Sequence, residues 1–387
     1  MQEIEKREVF YIAGYDPRGY RYYYSLYKKN AKKQNKINNL DIQVSKSKRV
    51  KEHIYSCDIT NNKKTDTTYN FFAWNDIVKE NWSEGFFANL WDTIYSVNIY
   101  IFSGVLKRFA KESSRQLIAG LYPLFYLLIS LITISFLSYQ SFFFLITYLN
   151  EILSLIISIF IFILGIKIAE KIGNNIAVFW LSRIYAFCAR WSENKIKNIE
   201  QRSEYFAEFI FQRLKNNSED KKEFILSSHS VGTILAINVA NKVIKKCKND
   251  NISYKHFKLL TLGHCVPLIS YQKKAYDYKN ILEEIGKIKD FTWIDYTASI
   301  DGACFPLIDP IKSSGIKKLN EHIPIMQSTR FFKLFKKENY IKIKKQKYKA
   351  HFLYLMATDL LGNYNYFDIT AGSKALEFRI QNYMKEK

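Results

Sequence analysis

The distribution of apolar and polar residues along the chain predicts alternating strands and helices. Strand-length apolar runs occur at residues 9–13, 53–59, 67–74, 224–226, 257–262, 291–294 and 325–329. Apolar residues recur at helical spacing over residues 20–33, 89–110, 178–191, 195–215, 233–243 and 352–361. This alternation predicts an α/β fold, in which helices flank a mostly parallel sheet.

One block in the middle of the chain has a different character. Leu117–Leu137 contains no charged residue, and a second apolar run, Phe142–Ile166, follows after a polar Ser-Tyr-Gln-Ser interruption at 138–141. Each run has the roughly 20 residues needed to cross the hydrocarbon core of a bilayer. The block therefore predicts a transmembrane helical hairpin over residues 111–171, and a buried helix pair of a soluble protein is the alternative.

Glu151 is the main polar break in the second run. A carboxylate in the middle of a bilayer costs on the order of a few kcal/mol. Two arrangements avoid this cost. Glu151 lies near the far interface and the second span is short, or the pair of helices enters the membrane without fully crossing it.

The flanks of the hairpin predict its orientation. Lys and Arg gather on both outer sides, whereas the connecting segment at 138–141 has none. The positive-inside rule then places both ends in the cytoplasm, as a multi-pass protein of the inner membrane. Residues 1–110 and 172–387 become two halves of one cytoplasmic domain. The five scattered cysteines also favour a reducing compartment, and the first 15 residues lack the pattern of a secretory signal.

Composition limits the classes of partner. A hydrophobic content of 48% argues against disorder. The formal net charge of +22 comes mostly from lysines spread along the chain, without an Arg-rich patch or a nucleic-acid-binding module. We therefore expect no nucleic-acid partner and favour the lipid bilayer, with its anionic surface, as the partner of this charge. The oligomeric state is not predicted.

The stretch with the clearest chemical meaning is EFILSSHSVGTILAINVA, residues 223–240. A short apolar strand, a turn and an apolar helix place Ser230 at the turn, which is the arrangement of a nucleophile elbow. Gly232 supplies the small residue that the close approach of strand and helix requires. Ser228 stands where such elbows usually have their first glycine, so the motif is S-x-S-x-G. The alternative is a serine in an ordinary strand-to-helix turn.

A nucleophilic serine needs a base, and the base needs an orienting acid; in this kind of elbow the chain order is serine, acid, histidine. The strand that starts at residues 291–294 leads on through residues 295–300. Asp301 follows this pattern, whereas Asp295 lies inside it and Asp309 precedes a proline in a turn. With Asp301 as the acid, the base is His351 or His322. We favour His351, because it lies between a Lys-rich segment and an apolar run.

Two further predictions concern the surroundings of the serine. An oxyanion hole is expected from the Val231 N–H and an amide of the loop at Tyr15-Asp16, which follows the first predicted strand. His229 precedes the serine in the sequence and is expected to point away from it and to be a packed neighbour. No metal or organic cofactor is predicted.

Five stretches carry a family resemblance: VFYIAGYDPRGYRYYYSLY, FFAWNDIVKENW, WLSRIYAFCARW, LSSHSVGTILA and HFLYLMATDLLGNYNYFDITAG. With them the chain resembles the α/β-hydrolase superfamily, and more narrowly bacterial membrane-associated hydrolase-like proteins with a transmembrane hairpin before the elbow. The resemblance implies a lipase- or esterase-like serine hydrolase of acyl esters or thioesters, with Ser230, Asp301 and His351 as its triad. An acyltransferase using the same site and a hydrolase-like membrane scaffold without catalysis are the alternatives.

Overall fold

The computed structural model describes residues 3–62 and 65–379 of the 387-residue chain. The chain folds into two compact units. The first consists of Met1–Asn81 and Ser192–Lys387, and the second is the intervening Trp82–Trp191. The first unit contains the sheet and all of the predicted site residues. The second contains the two long apolar helices.

The strands are β1 (Lys6–Ile12), β2 (Gln43–Val44), β3 (Lys48–Lys51), β4 (Ile54–Thr60), β5 (Asp66–Phe72), β6 (Lys222–His229), β7 (Phe257–Leu262), β8 (Thr292–Thr297) and β9 (Ile325–Ser328). The helices of the first half are α1 (Tyr20–Asn38), α2 (Asn75–Glu80), α3 (Gly85–Phe102), α4 (Val105–Glu112), α5 (Ser114–Leu145), α6 (Glu151–Asn175) and α7 (Val178–Ser192). Those of the second half are α8 (Ile199–Lys215), α9 (Gly232–Asn249), α10 (Pro267–Ser270), α11 (Tyr276–Gly286), α12 (Phe331–Leu334), α13 (Lys337–Lys344), α14 (Lys347–His351) and α15 (Tyr366–Ala371). Short 3₁₀ turns occur at Lys312–Ser314 and Leu353–Leu355.

The strands of the described residues form one mixed sheet in the order β2-β4-β5-β1-β6-β7-β8-β9, with β3 also paired to β4. From β5 to β9 all neighbouring strands are parallel, and β2, β3 and β4 make the antiparallel edge. The central strands are nearly continuous apolar runs because helices cover both faces. The prediction of an α/β fold with a mostly parallel sheet flanked by helices is confirmed at this level.

Parallel strands bring their carboxyl ends to one edge of the sheet, and this edge positions the site. β1, β6, β7 and β8 lie side by side, so that the loops leaving them converge there. The strand pairing fixes the register: Ile12 of β1 lies opposite Ser228 of β6, and Ser228 lies opposite Thr261 of β7.

Three predicted elements differ in the structure. The single helix predicted over residues 89–110 is two helices, α3 and α4, separated at Gly104, whose φ of +76° ends the helical path. Residues 352–361 were predicted as an apolar helix but form only one 3₁₀ turn, at Leu353–Leu355, whose side chains are buried; the apolar pattern here reflects burial and not a helix. The helix predicted over residues 20–33 continues to Asn38 as α1, and the unpredicted short strands β2 and β3 follow it.

In the second unit, the turn of the hairpin lies at a different position from the one that the sequence predicts. The polar residues 138–141 lie inside α5, and the turn falls at residues 146–150. Asn150 accepts a hydrogen bond from Leu153 N at 2.9 Å, and this cap begins α6 at Glu151. Glu151 therefore lies at the turn between the two helices, away from their middle, and its charge suits a helix N-terminus.

By length and composition, α5 and α6 can each cross a membrane. Only 17% of the most apolar stretch of each helix is buried in the structure, and side chains such as Phe136, Phe144 and Phe160 are exposed. The helices contact each other through small and hydroxyl residues: a Cβ at Gly165 would meet Ile134 at 2.8 Å, and Ser138 Oγ donates to Ser158 O at 2.7 Å. This is the kind of packing found between membrane helices.

Candidate active site

The turn between β6 and α9 holds Ser230 in a backbone conformation that residues with side chains rarely adopt. β6 ends at His229, α9 begins at Gly232, and Ser230 has a φ of +58°. A Cβ at Gly232 would lie 2.2 Å from the carbonyl oxygen of Ala13, so glycine is required there. The left-handed serine costs on the order of 1–3 kcal/mol. The strand, the turn and the helix lie where the sequence predicts them.

Ser228, the residue in place of the usual first glycine, is an ordinary strand residue within β6. Its side chain is completely buried, and its Oγ has no hydrogen-bond partner among residues 3–62 and 65–379. The hydroxymethyl group is thus accommodated without breaking the strand. Its cost is the burial of an unpaired hydroxyl, about 1–3 kcal/mol.

Asp301 and His351 are joined directly. The Nδ1 of His351 lies 2.9 Å from both carboxylate oxygens of Asp301, and the backbone N–H of Ala303 donates to Asp301 Oδ1 at 3.0 Å. Both side chains are 1% exposed. Burial raises the pKa of Asp301, but the His351 ring and these hydrogen bonds together lower it by more than burial raises it. The pKa of Asp301 therefore lies below the ordinary value. The carboxylate is therefore ionised at neutral pH and holds Nδ1 as the protonated nitrogen of the ring.

The elements that carry Ser230 and the Asp301–His351 pair meet at the carboxyl edge of the sheet. Ser230 N donates to Leu262 O at 2.9 Å, and at the next residue, Gly263, a Cβ would lie 3.1 Å from Asp301 Oδ2. Among the described residues, Ser230 Oγ makes its hydrogen-bond contact with the Sγ of Cys265, at a distance of 3.8 Å. The hydrogen bond between Ser230 and His351 is thus not formed in this conformation. Hydrogen bonds of this kind are often long in enzymes without substrate and shorten when substrate binds.

The loop after β1 runs beside the serine. A Cβ at Gly14 would lie 3.3 Å from Ser230 Oγ, which places this backbone against the hydroxyl. The next residue, Tyr15, is buried and donates its hydroxyl to Asn81 O at 2.5 Å. Asp16 then accepts hydrogen bonds from the Arg18 guanidinium and from Tyr23. The loop is therefore held firmly.

The other predicted oxyanion donor is on α9. Val231 is the N-cap of that helix, where N–H groups have no partner within the helix. The positive end of the helix dipole also favours a negative charge at this position. The Val231 N–H and the backbone of the loop after β1 therefore both belong to the immediate surroundings of Ser230.

His229 has a more specific position than the packed neighbour expected from the sequence. Its ring lies 4.5 Å from the ring of His351, and its Nε2 is 2.8 Å from the His351 carbonyl oxygen. Burial, and then the electrostatic effect of the neighbouring His351 ring, lower the pKa of His229 to about 3. His229 is therefore neutral, and its Nε2–H donates to the His351 backbone and fixes the position of that residue.

The alternative acids and base occupy other environments. Asp295 is buried in β8, where it accepts from Thr261 Oγ1 at 2.6 Å, and burial raises its pKa to about 8. Asp309 caps a turn by accepting from Ile311 N at 2.9 Å. His322 is an exposed residue. Among the candidate acids and bases considered from the sequence, Asp301 and His351 are the two that are hydrogen-bonded to each other near the elbow.

Two residues of the site, Gly263 and Cys265, have no clear signal in the sequence. Gly263 adopts a φ of +58° and lets both Asp301 and Tyr354 approach the end of β7. Cys265 contacts the serine hydroxyl, and burial raises the pKa of its thiol, so it remains protonated. Only the Gly263-His264 pair at the end of a predicted strand could have indicated that this loop reaches the site.

Among the described residues, no group of three or more His, Cys, Asp or Glu side chains is arranged to hold a metal ion. Comparison of the chain with protein-family models, curated proteins and solved structures gives no match.

Proposed function

We propose that the protein is a membrane-anchored serine hydrolase with an α/β-hydrolase-like domain, which cleaves acyl esters through an acyl-enzyme on Ser230. The observation that carries this proposal is the buried Asp301–His351 pair, bonded at 2.9 Å, beside a serine in a left-handed turn between strand and helix. The order serine, acid, histidine along the chain agrees with the same chemistry.

In this mechanism Ser230 Oγ attacks the ester carbonyl carbon while His351 Nε2 takes the hydroxyl proton. Asp301 keeps the proton on Nδ1, which leaves Nε2 as the acceptor, and its charge stabilises the imidazolium that forms. His351 then gives the proton to the departing alcohol as the ester bond breaks. Water attacks the acyl-enzyme with the same base, and the carboxylic acid and free Ser230 are regenerated.

The negative charge of the tetrahedral intermediate needs donors at the position of the carbonyl oxygen. The Val231 N–H and a backbone amide at Tyr15-Asp16 are proposed for this role, supported by the contact distance between the Gly14 position and Ser230 Oγ. Loss of one such donor typically lowers the rate on the order of a hundredfold or more.

The two long apolar helices would anchor the domain. With Glu151 and Asn150 at the turn, α5 and α6 become two complete spans, so that both flanks lie on one side of the bilayer. The positive-inside rule favours the cytoplasmic side. A hydrolase held at this surface has membrane lipids and other acyl esters as its most accessible substrates.

A fluorophosphonate probe tests the proposal, since it forms a covalent bond only with an activated serine. The full chain in detergent is expected to be labelled, and Ser230→Ala is expected to abolish labelling. Ser228→Ala is the matched control, because this buried serine lies two residues away and has no role in the mechanism. Labelling that is absent from folded wild-type protein, or that survives Ser230→Ala, would contradict the proposal and favour the scaffold. Product analysis with added alcohol distinguishes a hydrolase from an acyltransferase.

A further inference from the structure

The segment that leads to His351 is the most basic part of the described chain. Residues 333–349 contain eight lysines and one glutamate. Apart from Ile343, residues 336–349 are exposed or partly exposed over α13 and α14. Within residues 3–62 and 65–379, none of these lysines forms an ion pair with a carboxylate. The positive charges of these lysines are therefore available to a binding partner.

Apolar side chains are exposed among these lysines. Phe332 is 55% exposed, Ile341 49% and Leu361 64%. The loop that carries Leu361 is fixed to the same surface, because Leu360 N donates to Leu334 O at 3.0 Å and Asp359 accepts from Lys336 N at 3.0 Å. Residues 331–349 and Leu360-Leu361 thus form one surface, which we call the α12–α14 surface. Exposed apolar side chains lie among the cationic ones on it.

This surface is continuous with the candidate site. α14 ends at His351, and the ring of Tyr348 packs 4.9 Å from that of Phe352. The Tyr348 hydroxyl also accepts a hydrogen bond from Arg18, in the loop that runs beside Ser230. Whatever binds the α12–α14 surface therefore lies next to the chain segment that carries the buried His351 and to Arg18 of the proposed oxyanion loop.

We propose that the α12–α14 surface docks on an anionic lipid bilayer and so presents the site to lipid at the membrane surface. The charge complementarity of unpaired lysines with anionic headgroups supports this occupant, and the exposed apolar side chains among them fit the boundary between headgroups and acyl chains. A nucleic acid would use the charge but not the apolar side chains. The inference rests on the membrane location in the proposed function, and it holds whether or not Ser230 is catalytic.

A polarity-sensitive fluorophore at residue 341 tests the docking in the full chain. All five native cysteines are buried, so an introduced Ile341→Cys is labelled selectively. The protein is reconstituted in vesicles of phosphatidylcholine alone or of an equal mixture with phosphatidylglycerol. The matched control is Tyr276→Cys, a 67% exposed position on α11 of the same unit. Co-flotation with neutral vesicles reports the hairpin anchor separately, and fluorophosphonate labelling reports Ser230.

The expected result is a blue shift and a several-fold rise in emission at residue 341 in the anionic vesicles, with no change at residue 276. Replacing Lys342, Lys344 and Lys345 together by Gln should abolish the shift while co-flotation is unchanged. The proposal is overturned by the absence of a shift at residue 341, by an equal shift in neutral vesicles, or by an equal shift at residue 276. A shift that requires an added DNA oligonucleotide instead of anionic lipid overturns it as well.

Discussion

Asp301→Asn is the substitution that separates a catalytic pair from a merely structural one. The Asp301 carboxylate accepts from His351 Nδ1 at 2.9 Å and from Ala303 N at 3.0 Å. An asparagine has nearly the same shape but no charge, and its amide group can instead donate to Nδ1. The ring would then carry its proton on Nε2, where it cannot act as the base for Ser230.

The expected loss follows from that change of tautomer. Removing the charge of the orienting acid typically lowers the rate on the order of 10³- to 10⁴-fold. At 1.36 kcal/mol for each factor of ten, this is about 4 to 5.5 kcal/mol of transition-state stabilisation. The measurement is the second-order rate constant of fluorophosphonate labelling, with thermal unfolding as a check that the variant is folded.

Asp295→Asn is a matched control for this experiment. Asp295 is also a buried aspartate and lies in β8, six residues before Asp301, but its pKa of about 8 means that it is mostly neutral at pH 7. Asparagine imitates the neutral acid, so labelling should be unchanged. In the wild type, the folded state keeps a proton on Asp295 that the unfolded state releases, so stability falls as pH rises from about 4 to about 8. Asp295→Asn should remove this loss and melt higher than wild type at pH 8.

The reasoning would be refuted if folded Asp301→Asn were labelled at nearly the wild-type rate. It would also be refuted if Asp295→Asn reduced labelling as strongly as Asp301→Asn. The loss of any buried aspartate near the site would then explain the effect, and the interaction of the Asp301 charge with His351 would not be needed.

Three further predictions concern stability, each measured by thermal or denaturant unfolding of the full chain. Gly232→Ala forces a Cβ to within 2.2 Å of Ala13 O and should destabilise by about 3 kcal/mol; an unchanged melting temperature would contradict the close approach. Ser228→Ala removes a buried unpaired hydroxyl and should stabilise by about 1 kcal/mol, whereas a clear loss would indicate a partner for it. Glu223→Gln leaves Arg7 buried without its carboxylate and should destabilise by about 3–5 kcal/mol. Burial raises the pKa of Glu223, but its cationic neighbours lower it to about 2, so the contribution of Glu223 is present above about pH 4.5 and is lost as pH falls toward 2.

The elements that the sequence predicted well are those determined by local pattern. β7 has the predicted bounds, and the strand, turn and helix around Ser230 follow from an apolar run, a Ser-Val-Gly turn and helical spacing. The choice of Asp301 over Asp295 rested on position relative to a strand end, which a local pattern can indicate. The direct contact between Asp301 and His351 could not be predicted from either residue alone.

The position of the hairpin turn shows where local polarity misleads. Ser138 donates to Ser158 O, and Ser141 donates to Ser138 O, each at 2.7 Å. These hydroxyls are therefore satisfied inside a helical pair and do not break it. Asn150 has the side chain that caps a helix, and its bond to Leu153 N decides where α6 begins. Both segments are polar, and they differ in their partners: the serines donate to carbonyl oxygens within helices, whereas Asn150 accepts from an N–H group at a helix start.

The residues around the serine that the sequence did not reveal are linked only through the fold. Gly263 and Cys265 come more than 30 residues after Ser230 and reach it because β7 pairs with β6. Their roles depend on the register of two parallel strands and on a left-handed glycine at the end of β7. No periodicity within one segment contains that information.

The cost of the elbow is itself an argument for catalysis over a scaffold. At Ser230 the chain has a left-handed non-glycine residue, which costs on the order of 1–3 kcal/mol. An ionised Asp301 is buried in the same region and needs His351 for compensation. A strand-to-helix turn that served packing alone would be more stable with glycine at residue 230 and an apolar pair in place of Asp301 and His351. Strain and buried charge are thus concentrated at the residues proposed as nucleophile, base and acid, which is the pattern expected when function sets the sequence against stability.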